Sequence, residues 1–221
     1  MADIRFSAGL MGMSDAARHL GIPRRTFQRW ARGYERGGPL LHLVPTERKY
    51  DASVTFISLV EAWVLAGLRK AGVVPQRIRP ALQRLQQEFG REYVLTSREL
   101  ATDGIAVLWD FSRTNEGEGL IEGRTDQLII REIVADYMHY VGWADDGHPH
   151  KLELRTYQPS KVTVDPYRGF GQPMFAGNGV HVANVAAMLK AGEEPDIVAE
   201  EHGISIEDVR AAARVLLGRA A

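Results

Sequence analysis

The twenty residues from Met13 to Arg32, MSDAARHLGIPRRTFQRWAR, constrain this chain more than any other stretch. They read as a helix, a tight turn and a second helix. Met13, Ala17 and Leu20 fall at i, i+4 and i+7, so they share one helical face. Ser14 is placed to cap the first helix through its hydroxyl. Gly21 supplies the positive φ that a sharp turn requires, and Ile22 plugs the corner. Pro23 has no amide to leave unpaired and presets the first turn of the second helix. On that helix Phe27 and Trp30 turn inward. Arg24, Arg25, Gln28, Arg29 and Arg32 are left facing outward, with Thr26 beside them. A small Ala17, a glycine four residues on and an apolar Phe27 six further on match a helix-turn-helix whose second helix enters the DNA major groove. There, arginine pairs with guanine and glutamine with adenine. The competing reading is a solvated basic helix packed on a core.

Bulk charge does not decide between them, because 27 Lys and Arg are balanced by 28 Asp and Glu. Its distribution is informative. Residues 1–49 carry nine Lys or Arg against four acids, whereas residues 192–208 carry seven acids and no Lys or Arg. Such polarity is expected if only the first end touches phosphates. There is no cysteine, which excludes disulfides and thiolate metal sites and is compatible with the cytoplasm. No apolar run at the N-terminus suggests a signal peptide, and no window reaches the length of a membrane span.

After a glycine-rich loop, Leu40 to Val44 and Pro45 to Tyr50 read as a β-hairpin wing. Arg48 and Lys49 would then lie on a neighbouring phosphate strand, and the alternative is an ordinary charged turn. Ile57, Val60, Val64 and Leu68 mark a helix ended by Gly72. Ile78, Leu82, Leu85 and Phe89 mark another, opened by Pro75 and stopped by Gly90; Pro80 is expected to kink it or delay its start. Residues 11–90 resemble the winged helix-turn-helix domain of the MerR class. The likeness rests on GIPRRTFQRW, the wing ending at Tyr50, and the helices around AWVLAGLRKAGVVPQRI. It implies DNA binding through Arg24, Arg25, Thr26, Gln28, Arg29, Arg32, Arg48 and Lys49. No long dimerising helix follows and no cysteine effector site exists, in departure from that class.

Residues 92–158 read as a connector of mixed α and β content. Tyr93 to Leu95, Ile105 to Phe111 and Leu128 to Ile130 are β-branched or aromatic and predict strands, with a turn at Thr102–Gly104. Glu132 to Trp143 predicts a helix and Leu152 to Tyr157 a strand. Further on, a strand at Val162–Val164, a short one at Met174–Phe175, and helices over Ala183–Leu189, Asp196–His202 and from Ser205 are predicted. Ser205 and Asp208 have capping-box spacing. Ala199, Gly203 and Val209 repeat the helix-turn-helix spacing, but Glu200, Glu201, Glu207 and Asp208 would be repelled by phosphates. At a helix N-terminus such acids are stabilised by about 0.3–1 kcal/mol. This segment therefore suits a protein contact.

Residues 160–217 are similar to the small antitoxin-type domain of unknown function found in VapB-like antitoxins. The matching residues are Val164-Asp165-Pro166, Gly171-Gln172-Pro173, Gly179, Val182, Ala191-Gly192 and Ile204 to Val209. The resemblance implies a PIN-domain ribonuclease as partner, whose Mg²⁺- or Mn²⁺-binding carboxylates Arg155, Lys161 and Arg168 would face. The fold expected is α+β and mostly helical. It comprises an N-terminal winged helix-turn-helix (1–91), a mixed connector (92–158) and a small C-terminal helical domain (159–221). The expected function is an operator-binding, toxin-neutralising antitoxin, a homodimer or hetero-oligomer that is neither membrane-bound nor an enzyme.

No cofactor or metal is expected. Gly169, Gly171, Gly177 and Gly179 lack the third glycine of a dinucleotide loop and a Walker lysine. Asp136, His139, Asp145, Asp146, His148 and His150 are close in sequence but lack tight ligand spacing. Two alternatives stay open. One is a free-standing MerR-like regulator with a ligand-sensing, dimerising C-terminal part. The other is a metal-dependent enzyme built on the Asp/His loop.

Overall fold

Local rules set most helix boundaries in the chain. A computed structural model describes residues 2–34, 38–47, 51–122 and 126–218. The chain is mostly helical with a small antiparallel sheet, an α+β fold as expected. It runs through α1 (Ile4–Ser7), α2 (Met13–Leu20), α3 (Arg24–Arg32), α4 (Phe56–Lys70), α5 (Ile78–Phe89), α6 (Asp103–Ser112) and α7 (Gln127–Met138). Strands β1 (Val141–Trp143), β2 (Pro149–Glu153), β3 (Val162–Val164) and β4 (Met174–Phe175) follow, then α8 (Val182–Ala191), α9 (Pro195–His202) and α10 (Ile206–Ala212). Two compact units result. One gathers Met1–Arg24, Val44–Phe56 and His150–Ala221, and the other Arg25–Leu43 and Ile57–Pro149.

In the first unit β2, β3 and β4 are antiparallel neighbours, with Leu152 opposite Val164 and Val162 opposite Phe175. All three residues of β3 are buried, as its Val-Thr-Val sequence suits. The N-terminal segment joins this unit through long-range bonds. Met11 bridges Val54, and the Gln172 side chain donates to the Leu10 carbonyl at 2.6 Å. Gly12, not Ser14, stands at the N-cap of α2, and its carbonyl accepts from Asp15 and Ala16. Ser14 therefore lies inside the first turn. Gly21 adopts φ 67° as expected, and the Ile22 amide closes the end of α2 on the Ala17 carbonyl at 2.9 Å. Buried in this unit, the His19 ring places Nδ1 2.8 Å from the Tyr157 hydroxyl, and Thr156 donates to the His19 carbonyl at 2.6 Å.

At the C-terminal end, the expected capping box is present. The Asp208 amide donates to Ser205 Oγ at 3.1 Å and the Ser205 amide to Asp208 Oδ2 at 3.2 Å. Ser205→Ala should lower stability by about 1 kcal/mol. Urea denaturation checks this, and an unshifted midpoint would show that α10 does not depend on its cap.

In the second unit α4 buries almost its whole circumference, including Ile57, Val60, Val64 and Leu68. A 3₁₀ turn at Pro75–Arg77 precedes α5, so Pro80 occupies the first turn, where amides lack helical partners. The proline delays the helix, one of the two outcomes expected. The connector differs more from expectation. Val94–Thr96 is a 3₁₀ turn, and Ile105–Phe111 lies within α6. Leu128–Ile130 lies in α7, which Asp126 caps by accepting from the Ile129 amide at 2.9 Å. Helix α7 stops at Met138, and Val141–Trp143 is a strand; Tyr-Val-Gly-Trp has poor helix propensity. The strand expected over Leu152–Tyr157 ends at Glu153, followed by a 3₁₀ turn at Arg155–Tyr157.

Of the expected wing, Leu40–Glu47 forms no strand among the described residues. Val44 donates one backbone bond to Ser53 at 3.0 Å. Arg48, Lys49 and Tyr50 lie outside the described residues. Among the described residues no helix is long and apolar enough to cross a membrane.

Candidate nucleic-acid interface

Helix α3 sorts its side chains by solvation. Phe27, Trp30 and Ala31 are buried, and burying an aromatic side chain of this kind stabilises by about 1.5–3 kcal/mol. Arg24, Arg25, Arg29 and Arg32 are exposed, while Thr26 and Gln28 are half-buried. None of the four arginines forms an ion pair with a carboxylate among the described residues. The guanidinium of Arg29 instead stands 5.9 Å from the centroid of the Tyr34 ring.

Three arginines of the second unit line one recess of about 150 Å³. Arg25 and Arg29 come from α3, and Arg69 from the last turn of α4. Thr26, Tyr34 and Gln76 complete its polar lining, and no carboxylate lines it among the described residues. Burial raises the Tyr34 hydroxyl above its ordinary pKa, opposed by the nearby positive charges of Arg29 and Arg69. Like charges gathered without a counter-charge make an anion-binding concavity.

The loop after α3 is pinned by polar contacts. The Leu40 amide donates to the Trp30 carbonyl at 2.8 Å, and Arg79 donates to the Gly38 carbonyl at 2.6 Å and also to that of Pro39. Glu61, buried on α4, accepts from the His42 amide at 2.9 Å and contacts His42 Nδ1 at 2.5 Å. Ser58 Oγ donates to the His42 carbonyl, and the Tyr93 ring meets the imidazole edge-on at 4.6 Å. The Glu61 carboxylate holds the His42 imidazolium above the usual histidine range. A buried carboxylate left unpaired would be strongly unfavourable, so this contact fixes the loop relative to α4.

Sequence reasoning singled out the α3 residues but not Arg69, Tyr34 or Gln76. Arg69 precedes the Gly72 turn, and nothing local distinguishes it from a basic residue placed at a helix C-terminus for the dipole. The three cations expected to face a protein partner belong to the first unit. Arg155 is half-buried in its 3₁₀ turn, Lys161 is exposed before β3, and Arg168 is exposed before the Gly169 turn. Glu193, Glu194, Asp196, Glu200, Glu201 and Glu207 are exposed in the same unit. Among the described residues no group of three His, Asp or Glu is arranged to hold a metal ion.

Residues 9–82 match a family described as "Putative DNA-binding HTH domain". Residues 162–214 match one described as "Protein of unknown function (DUF433)". A Mycobacterium tuberculosis protein named "Putative antitoxin VapB45" is 38% identical over an alignment of 225 residues, covering 94% of each chain. Another from the same organism, "Uncharacterized protein Rv2308", is 28% identical over 202 residues, covering 86% of this chain and 83% of its own. The crystal structure of Rv2018 from M. tuberculosis matches with a TM-score of 0.77 at 33% identity, covering 94% of this chain and 99% of that one. With a helix-turn-helix match at one end, a DUF433 match at the other and near full-length similarity between, the chain belongs to the family of the M. tuberculosis protein named "Putative antitoxin VapB45".

Proposed function

We propose that this protein is the antitoxin of a toxin–antitoxin pair, binding its operator DNA through α3 and neutralising a PIN-type ribonuclease. The observation that carries the reading is the set of exposed, carboxylate-free arginines on α3. In it, Arg25 and Gln28 read base edges. Arg24, Thr26, Arg29 and Arg32 position the helix on the backbone, and Arg48 and Lys49 extend that contact in the manner of a MerR-class wing. Residues 1–91 serve as the DNA-binding segment, 92–158 as the connector and 159–221 as the antitoxin segment. Arg155, Lys161 and Arg168 contribute to the toxin contact. The protein acts in the cytoplasm as a homodimer or in a hetero-oligomer with its toxin, without cofactor or catalytic residues. Paired half-sites would lie about 34 Å apart.

Co-purification with the product of the adjoining reading frame, followed by a gel-shift assay on the DNA upstream of both, tests the two halves. A carboxylate-rich ribonuclease that co-purifies and is silenced supports the reading. Operator binding with no associated ribonuclease, altered by a small ligand, would make the protein a free-standing regulator and overturn it.

A further inference from the structure

Glu61 is a carboxylate on α4 with almost no access to water, and the DNA contact proposed for α3 makes no direct use of it. Its side chain is 1% exposed. One oxygen accepts from the His42 amide at 2.9 Å and the other meets His42 Nδ1 at 2.5 Å. Burying a charge is strongly unfavourable unless it is both paired and hydrogen-bonded, and His42 supplies both. Ser58 Oγ, about one turn earlier on α4, donates to the His42 carbonyl, and the Tyr93 ring packs edge-on against the imidazole. His42 is therefore held at its amide, its carbonyl and its ring.

What His42 holds is the end of α3. Leu40 and Leu41, just before it, are buried, and the Leu40 amide donates to the Trp30 carbonyl at 2.8 Å. That carbonyl belongs to the last turn of α3, where carbonyls lack partners within the helix. The same turn carries the exposed Arg29 and Arg32. Arg79 adds a second tie, to the carbonyls of Gly38 and Pro39. Fixing His42 thus fixes the residues that cap the arginine-bearing end of α3.

Charged and titratable groups face the imidazole from three elements: Glu61 from α4, Arg79 from α5, and Glu92 and Tyr93 from the segment after α5. The hydrogen bond to Glu61 raises the His42 pKa most; burial opposes it, Glu92 adds to it and Arg79 opposes it. Burial raises the Glu61 carboxyl in turn, against the bond from His42, so the ionised carboxylate depends on the imidazolium. At low pH the two form an ion pair. As pH rises through the raised histidine value, the proton leaves to solvent. The carboxylate then stays buried beside a neutral ring, with the Glu92 charge opposing it, and the hold on the loop weakens.

We propose that Glu61 and His42 are positioning residues for the DNA contact, and that the proton bound between them makes operator affinity fall as pH rises. The inference rests on the reading of α3 as the DNA-binding helix. Neither side chain need touch DNA. They act through the Leu40 cap on Trp30, which sets how the last turn of α3 presents Arg29 and Arg32.

Fluorescence titration with the DNA upstream of its own and the adjoining reading frame tests this. The parent's affinity should fall at least about tenfold between about pH 6 and about pH 9. Its midpoint should coincide with the titration of the His42 ring followed by NMR. Glu61→Gln keeps an acceptor for the His42 amide but removes the buried charge, so its affinity should not fall over that range. The double variant His42→Gln, Glu61→Gln leaves no buried charge to unfold the unit and should be equally flat. A parent whose affinity stays within about twofold across the range, or a Glu61→Gln variant that falls as the parent does, would overturn the proposal and leave the DNA reading standing. A parent that binds that DNA at no pH would bring down the DNA reading and this inference with it.

Discussion

Lowering the pH from about 6.5 to about 4 should reduce the unfolding free energy by about 3 kcal/mol through one side chain, His19. Burial is the main cause, holding its pKa down to about 4 from an ordinary 6.5; Arg18 adds to the effect and Asp15 opposes it. Above about 6.5, His19 is neutral in both the folded and unfolded chain. Between about 6.5 and about 4 only the unfolded chain takes up the proton, so stability falls as pH falls. Below about 4 both forms are protonated and the dependence ends. Urea unfolding at a series of pH values measures this step. His19→Gln keeps a hydrogen-bonding side chain next to Tyr157 but cannot titrate, so the step should shrink by the same amount in the variant. An equal step in parent and variant would mean that His19 is not the group responsible. His42 acts in the opposite sense, because Glu61 raises its pKa. Its contribution is full below the ordinary histidine value and is lost as pH rises through the raised one.

Replacing Arg25, Arg29 and Arg69 together by alanine should lower operator affinity roughly a hundredfold at physiological salt. Each phosphate contact contributes about 0.9 to the slope of log affinity against log salt, so the loss of Arg29 and Arg69 should make the slope shallower by nearly two units. The physical basis is their convergence on a recess that no carboxylate lines. A lysine triple variant, which retains charge but not the planar fork, should keep most of the slope. Because Arg25 reads a base edge, Arg25→Ala alone should cost about 1–3 kcal/mol on the operator and little on unrelated DNA. Fluorescence titrations across salt concentrations measure both effects, and an unchanged slope in the alanine triple variant would remove the recess from the DNA contact.

Particular elements show how far the sequence could be read. The turn at Gly21, the delayed start of α5 at Pro80 and the Ser205 capping box were all legible, because each depends on backbone sterics within a few residues. Ser14 misled because it is a good cap two residues too late; Gly12 already ends the extended segment. Ile105–Phe111 misled more. Its β-branched and aromatic residues favour a strand in isolation, yet Ile105 and Leu108 are buried from one face of a helix that contacts α5 and α7. In α7 the better signal was Asp126 ahead of a buried stripe at Ile130, Val134 and Met138, spaced four apart.

The sequence by itself determined which segment is cationic, where its two helices break, and that the arginines of α3 face water. Those properties follow from charge and local periodicity. Only the tertiary structure decided that residues 1–24 fold in one unit with residues 150–221, since the bonds from Gln172 to Leu10 and from Thr156 to His19 join positions more than a hundred residues apart. It also brought Arg69 to Arg25 and Arg29, and left Phe170 in water on a left-handed turn. Long-range packing sets those placements, and nothing in a residue's near neighbours encodes which distant surface it will meet.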